Sequence, residues 1–139
     1  MKLASITESS QNNTIHIEYT FGHTLPKPVD IYNHLTDIKN LIDGIDSSSK
    51  PIIVYDCTSI PVRLNLINKK VKFLRSIQDD ITQRVGACYI MVSKLPNWTT
   101  NLIEFFIKSY STIPVHIIHD TSKLPSNLCN TNPILSVNR

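Results

Sequence analysis

A short polar segment follows an apolar run at residues 54–61, VYDCTSIP. Its carboxylate Asp56 and its hydroxyls Thr58 and Ser59 are of types that could do chemistry. Thr58 or Ser59 could cap the helix expected next, because a side-chain oxygen there accepts a hydrogen bond from a free backbone N–H. A hydroxyl at a helix N-terminus is also a good place for a phosphate, which the free N–H groups and the helix dipole stabilise. Arg63 lies nearby and could serve the hydroxyl in either its free or its phosphorylated state.

A second polar group ends the apolar run IPVHIIHD at residues 113–120. Open α/β sheets bind ligands beside the carboxyl ends of their strands, so this group and VYDCTSIP could meet at one sheet edge. Polar residues also end strands because strand ends meet water, and no pair here specifies general acid–base chemistry. We therefore expect no catalytic residue and no enzyme. The set that an enzyme or ligand site would use is Asp56, Thr58, Ser59, Ser93, Lys94, His119 and Asp120.

Common nucleotide and metal motifs are absent from the sequence. The chain has three glycines and neither G-x-x-x-x-G-K-[ST] nor G-x-G-x-x-G, so it lacks the loops that cradle phosphates. It also has no G-x-S-x-G and no C-x-x-C. The cysteines, Cys57, Cys88 and Cys129, lack metal-ligand spacing, and we expect the first two to be buried reduced thiols. We expect no metal and no cofactor.

Composition indicates an ordinary globular protein. The 139 residues are 41% hydrophobic and 18% charged, with a net charge of +3 and no basic stripe of the kind that binds nucleic acid. No apolar run approaches the ~20 residues of a membrane span, and residues 1–13 lack the apolar stretch of a signal peptide. These features favour a cytoplasmic protein without an integral membrane segment.

Hydrophobic periodicity predicts a single α/β domain over residues 14–129, between a flexible segment at 1–13 and a tail at 130–139. A strand followed by three helix–strand pairs implies a mostly parallel or mixed sheet of about four strands with three to four helices. The predicted strands are 14–20, 51–57, 85–92 and 113–120, and the predicted helices are 29–44, 63–80, 98–110 and a weak 122–129.

The predicted helix at 98–110 lies in the most aromatic stretch of the chain. Its spacing places Leu102, Phe105 and Phe106 inward. The four aromatic side chains of this stretch cannot all share that face, so some of them must lie off it: Trp98, Phe105, Phe106 and Tyr110. The aromatic side chains either fill the core or form an apolar patch that meets a partner or a second copy of the chain.

The order of these elements, with PIIVYDCTSI and GACYIMVSKLPNWTTNLIEFFIKSYSTIPVHIIHD, resembles the STAS superfamily, which includes bacterial anti-sigma-factor antagonists. The closest likeness is to small STAS/SEC14-like bacterial proteins, and it covers residues 15–128. In phosphorylated antagonists, a strand ending in Asp leads to a DSSG-like motif whose Ser a kinase phosphorylates. Asp56 matches that Asp, but the motif falls on RLNL at 63–66, where Asn65 cannot be phosphorylated.

The resemblance implies a non-enzymatic regulatory module that binds another protein or its own copy. Its docking or switch residues would be Asp56, Thr58, Ser59, Arg63 and Asn65. This function predicts an apolar patch beside the two hydroxyls and no deep pocket.

The alternative is a small-molecule or lipid-binding domain with an apolar pocket under the 98–110 helix. It predicts an enclosed apolar cavity near Trp98, Phe105 and Phe106.

Overall fold

The computed structural model describes residues 1–21, 24–59, 64–93, 97–109 and 112–118, with the backbone alone at 64–66, 97–100, 102 and 106. Strands and helices alternate after an initial hairpin. The strands are β1 (Ala4–Ser9), β2 (Thr14–Tyr19), β3 (Ile52–Cys57), β4 (Ala87–Val92) and β5 (Val115–Ile118). The helices are α1 (Pro28–Asp43), α2 (Leu64–Ser76), α3 (Gln78–Arg84) and α4 (Asn97–Lys108).

The five strands form one mixed sheet in the order β1-β2-β3-β4-β5. β1 pairs antiparallel with β2, and every later pair is parallel. The apolar run of β3 therefore lies at the centre of the sheet, as a strand buried on both faces should. The predicted fold class, an α/β domain with a single mixed sheet, is confirmed.

The sequence predicts a flexible segment over residues 1–13 and no strand there, so β1 is a difference between the prediction and the structure. Ala4–Ser9 instead pairs with β2 along its whole length. Only Ala4 in this strand is buried, because β1 lies at the edge of the sheet. An edge strand buries too few side chains to show the alternating pattern by which strands are identified in a sequence.

All four described helices contribute to the interior on one face of the sheet. The main apolar cluster joins Ile17, Tyr55 and Cys88 from the strands to Ile38 of α1 and Ile81 of α3. The predicted single helix at 63–80 is divided here, because Ile77 leaves helical geometry with φ −114° and ψ 26°. This break begins α3 and lets Ile77 and Ile81 both be buried.

The opposite face of the sheet carries a smaller apolar cluster. Val54, Met91 and Ile118 are its buried members, and Ile52 and Tyr89 pack against them. All five come from strands, so within the described residues this cluster includes no helix. The sheet thus has two unlike faces.

In the described part of the chain, no helix is long and apolar enough to cross a membrane.

The two described turn glycines provide a matched test of the backbone packing. A Cβ at Gly86 would lie 2.6 Å from the backbone oxygen of Lys50, whereas one at Gly44 would meet its nearest atom at 3.5 Å. We expect Gly86→Ala to lower the free energy of unfolding by about 1 to 3 kcal/mol, because the backbone of the β3 entry must shift. Gly44→Ala should change it little. Urea unfolding of both variants checks this, and equal effects would contradict the packing at Gly86.

Candidate functional site

A cavity of about 190 Å³ lies between the sheet and the helices. Its wall is overwhelmingly apolar, and the strands β2, β3, β4 and β5 and all four helices contribute to it. The apolar lining includes Ile53, Ile90, Val92 and Val115 from the strands and Leu35, Val71, Leu74, Ile81, Ile103 and Ile107 from the helices. The cavity therefore lies within the helix–sheet interior of the described residues and is partly open to the surface.

The helix α4 forms one side of this cavity. Ile103 and Ile107, one helical turn apart, face it. Phe105 is 71% exposed, so the expectation that it points inward is wrong. Two residues along a helix correspond to a rotation of about 200°, which carries Phe105 to the solvent side. The side chains of Trp98, Leu102 and Phe106 lie outside the described residues.

A single lysine, Lys70 of α2, reaches into this apolar lining. Its Nζ lies 3.9 Å from the centroid of the Tyr55 ring and 4.4 Å from that of Tyr19. The two rings stack on each other with centroids 6.4 Å apart. The ammonium thus contacts the electron-rich faces of two aromatic rings, which favours the charged form.

The surroundings of Lys70 nevertheless oppose a charge. Burial lowers the pKa of its amine from 10.5 to about 7. Within the part of the chain that the structure describes, Nζ has neither an ion pair nor a hydrogen bond. The two rings therefore provide the only stabilising contacts found for the charge in these residues, and a buried charge without a carboxylate partner is incompletely compensated.

A hydrogen-bonded pair forms the second polar feature of the lining. The Tyr19 hydroxyl lies 2.6 Å from Nε2 of His34, and both residues are buried. Burial lowers the pKa of His34, although Asp37 opposes the shift, so the ring is neutral at pH 7. Lys70, Tyr19 and His34 thus form a small polar cluster in a largely apolar lining, to which Gln78 and Thr112 also belong.

The two cysteines that line the cavity are inert thiols. Burial raises the pKa of Cys57 and of Cys88 to about 12, so neither forms the reactive thiolate at pH 7. Both are free thiols, as predicted; Cys88 is buried, whereas Cys57 is half-buried. Cys129 lies outside the described residues.

The polar segment after β3 forms a self-contained turn. The backbone N–H and the hydroxyl of Thr58 both donate to Oδ1 of Asp56, at 3.0 and 2.5 Å. Thr58 and Ser59 are exposed. Asp56 is half-buried, and the register places it beside Met91, on the sheet face opposite the cavity. These three residues come together at the strand end, but they do not contribute to the cavity lining.

Several predicted site residues lie outside the described residues, namely Arg63, Lys94, His119, Asp120 and the side chain of Asn65. Ser93 is exposed. The edge site that would combine them therefore stays a prediction. Among the described side chains, no group of three or more His, Cys, Asp and Glu residues could hold a metal ion.

The sequence did contain a signal for the polar cluster, which we missed. Ile67, Val71 and Leu74 mark the inward face of α2, and Lys70 stands at the i+3 position from Ile67 on that same face. His34 occupies an inward position in α1 in the same way, between Ile31 and Ile38. A titratable side chain within an apolar helix face indicates an interior that is not purely apolar.

Comparison of the chain with protein-family models, with curated proteins and with solved structures gave no match. The STAS resemblance therefore stays a prediction, and the site has to be interpreted from its own geometry.

Replacing the lysine should change how stability depends on pH. The folded state releases the Lys70 proton near pH 7, whereas the unfolded chain holds it to about pH 10.5, so folding is favoured as the pH rises between these values. Relative to Lys70→Met, the wild-type free energy of unfolding should increase by about 1 to 2 kcal/mol from pH 7 to pH 9, less than the full shift because Lys70 keeps some solvent contact.

Urea unfolding at both pH values measures this difference. Lys72→Met is the matched control, because Lys72 lies on the same helix but is exposed. Its stability should follow that of the wild type at both pH values. Parallel pH profiles for the wild type and Lys70→Met would contradict the buried position of the amine.

Proposed function

We propose that this protein is a binding module that holds a small, mainly apolar molecule between its sheet and its helices. The observation that carries the proposal is the cavity of about 190 Å³. Ligand sites are typically concave and apolar, with a few polar groups that orient the ligand. The Lys70, Tyr19 and His34 cluster supplies such groups here.

The size of the cavity supports a small ligand. An apolar cavity of about 150 Å³ holds a benzene molecule. A space of about 190 Å³ therefore suits one ring with a short substituent or an aliphatic chain of similar bulk. A complete membrane lipid would not fit, so the favoured ligand class is a small molecule.

The energetic cost of such a space also supports a ligand. Protein interiors are close-packed, and an empty cavity costs about 24 cal/mol for each Å³. For an enclosed cavity of 190 Å³ this would amount to about 4 to 5 kcal/mol, and the cost is smaller here because the cavity is partly open to water. Occupation by an apolar molecule would remove much of this cost.

The other candidate is docking of a protein or of a second copy through the loop and helix at residues 56–70, helped by the aromatic helix at 98–110. For this function we expect no deep pocket, so the cavity of about 190 Å³ favours the binding of a small molecule. The Thr58 hydroxyl is already bonded to Asp56. Within the described residues, the exposed apolar side chains that favour docking include Phe105 on α4 and a group near the start of α1, namely Leu25, Val29 and Tyr32.

Enlarging a lining residue in steps tests the cavity directly. Val71 is buried on α2 and lines the space. We expect Val71→Leu and Val71→Phe to weaken binding of 1-octanol progressively in calorimetry, because each added group occupies ligand volume. Neither should lower the melting temperature, whereas the same change in a filled core costs about 1 to 3 kcal/mol.

The matched control for this series is Phe105→Ala, which alters an exposed side chain outside the cavity. It should leave 1-octanol binding unchanged. Native mass spectrometry of the purified wild type would identify a retained ligand that the Val71→Phe variant lacks. Absence of 1-octanol binding to the wild type, or destabilisation by both enlargements, would contradict the proposed function.

A further inference from the structure

The cavity described above has an uneven chemical character. Its wall is apolar almost throughout, yet Lys70 brings an amine to it between the Tyr19 and Tyr55 rings. A purely apolar ligand would displace water from that amine without pairing with its charge. The amine is thus the feature of the site that can distinguish one class of ligand from another.

The titratable groups that face this cavity offer the amine no negative charge at neutral pH. They come from every layer around it: Tyr19, Tyr55, Cys57 and Cys88 from the strands and His34 from α1. Burial raises the pKa of Tyr55 and of both thiols, which keeps them neutral. No carboxylate occurs among the described lining residues. An anionic partner for Lys70 must therefore come from outside this set.

We infer that the cavity selects a monocarboxylate with an apolar body, whose head group pairs with the Lys70 ammonium between the two tyrosine rings. This inference rests on the proposed function and specifies its ligand. A charge-assisted hydrogen bond between an ammonium and a carboxylate is short and strong where water is excluded. The apolar wall then receives the chain or ring behind the head group.

The number of charges restricts the ligand class further. Among the described lining residues Lys70 is the one cation, and the polar groups beside it are the hydrogen-bonded Tyr19 and His34. A dianion such as a phosphate monoester would bring a second negative charge into an apolar space, which is costly without another cation. A singly charged head group matches the site.

Pairing with an anion also predicts a pH dependence. The carboxylate favours the protonated amine, so it raises the pKa of Lys70 above the value of about 7 in the free protein. Carboxylate affinity should consequently fall as the pH rises above 7, because a growing fraction of the free protein must first take up a proton. Binding of a neutral ligand has no such requirement.

The test compares octanoate with 1-octanol, which have chains of equal length and differ in the charge of the head group. Calorimetry is carried out on the full chain for the wild type, Lys70→Met and Lys72→Met. We expect Lys70→Met to weaken octanoate binding by about tenfold or more relative to its effect on 1-octanol binding. Lys72→Met should bind both probes as the wild type does.

In the wild type, octanoate affinity should fall by about tenfold between pH 6.5 and pH 8.5, while 1-octanol affinity stays constant. Equal responses of the two probes to Lys70→Met, or octanoate binding that is independent of pH, would overturn the carboxylate preference alone, since 1-octanol binding shows that the cavity exists. If neither probe binds the wild type, the proposed function fails as well. Octanol binding by Lys70→Met also verifies that this variant is folded.

Discussion

The order of the strands is the constraint on which the rest of the structure depends. Strands β2 to β5 follow one another across the sheet in sequence order and run parallel. Right-handed crossovers between neighbours that always advance in one direction place each connecting helix on the same face. The four described helices therefore share one helix–sheet interior, and the space that they leave above β2, β3 and β4 forms the cavity. An arrangement with helices on both faces would divide the same apolar side chains between two thinner layers.

Lys70 shows how this single interior limits the chemistry of the site. A lysine on the inward face of α2 cannot reach the second face of the sheet, so its amine ends among the side chains of β2 and β3. The tyrosine rings provide attraction without a formal negative charge, and burial acts in the opposite direction. The result is an amine balanced between its charged and neutral forms near neutral pH, which a small change in its surroundings can shift. Such a balance is common at functional sites and rare in an inert core.

The sequence predicted the framework better than the site, and particular residues explain why. Continuous apolar runs at β3 and β4 and the inward spacing of Ile38 and Ile42 report burial directly, so the α/β class could be predicted. Phe105 was misplaced because hydrophobicity alone does not decide which of several apolar residues in a helix face the sheet, and Ile103 and Ile107 take that position. The cavity itself has no sequence pattern, since it depends on how far the helices lie from the strands. Asp56 and Thr58 were candidate site residues because they are polar and end a strand. In the structure the Thr58 N–H and hydroxyl both donate hydrogen bonds to the Asp56 carboxylate.

Stability and binding are linked in this architecture. A void of about 190 Å³ weakens the unliganded domain, and a ligand that binds only the folded state restores stability in proportion to the logarithm of its concentration over its dissociation constant. An amphipathic ligand would act on both weak points at once, because its apolar body fills the void and its head group compensates Lys70. A mutation that fills the cavity would remove the void but would leave the Lys70 charge without an anionic partner. Under the proposed function, the features that make the empty domain less stable are the same ones that favour occupation by a ligand.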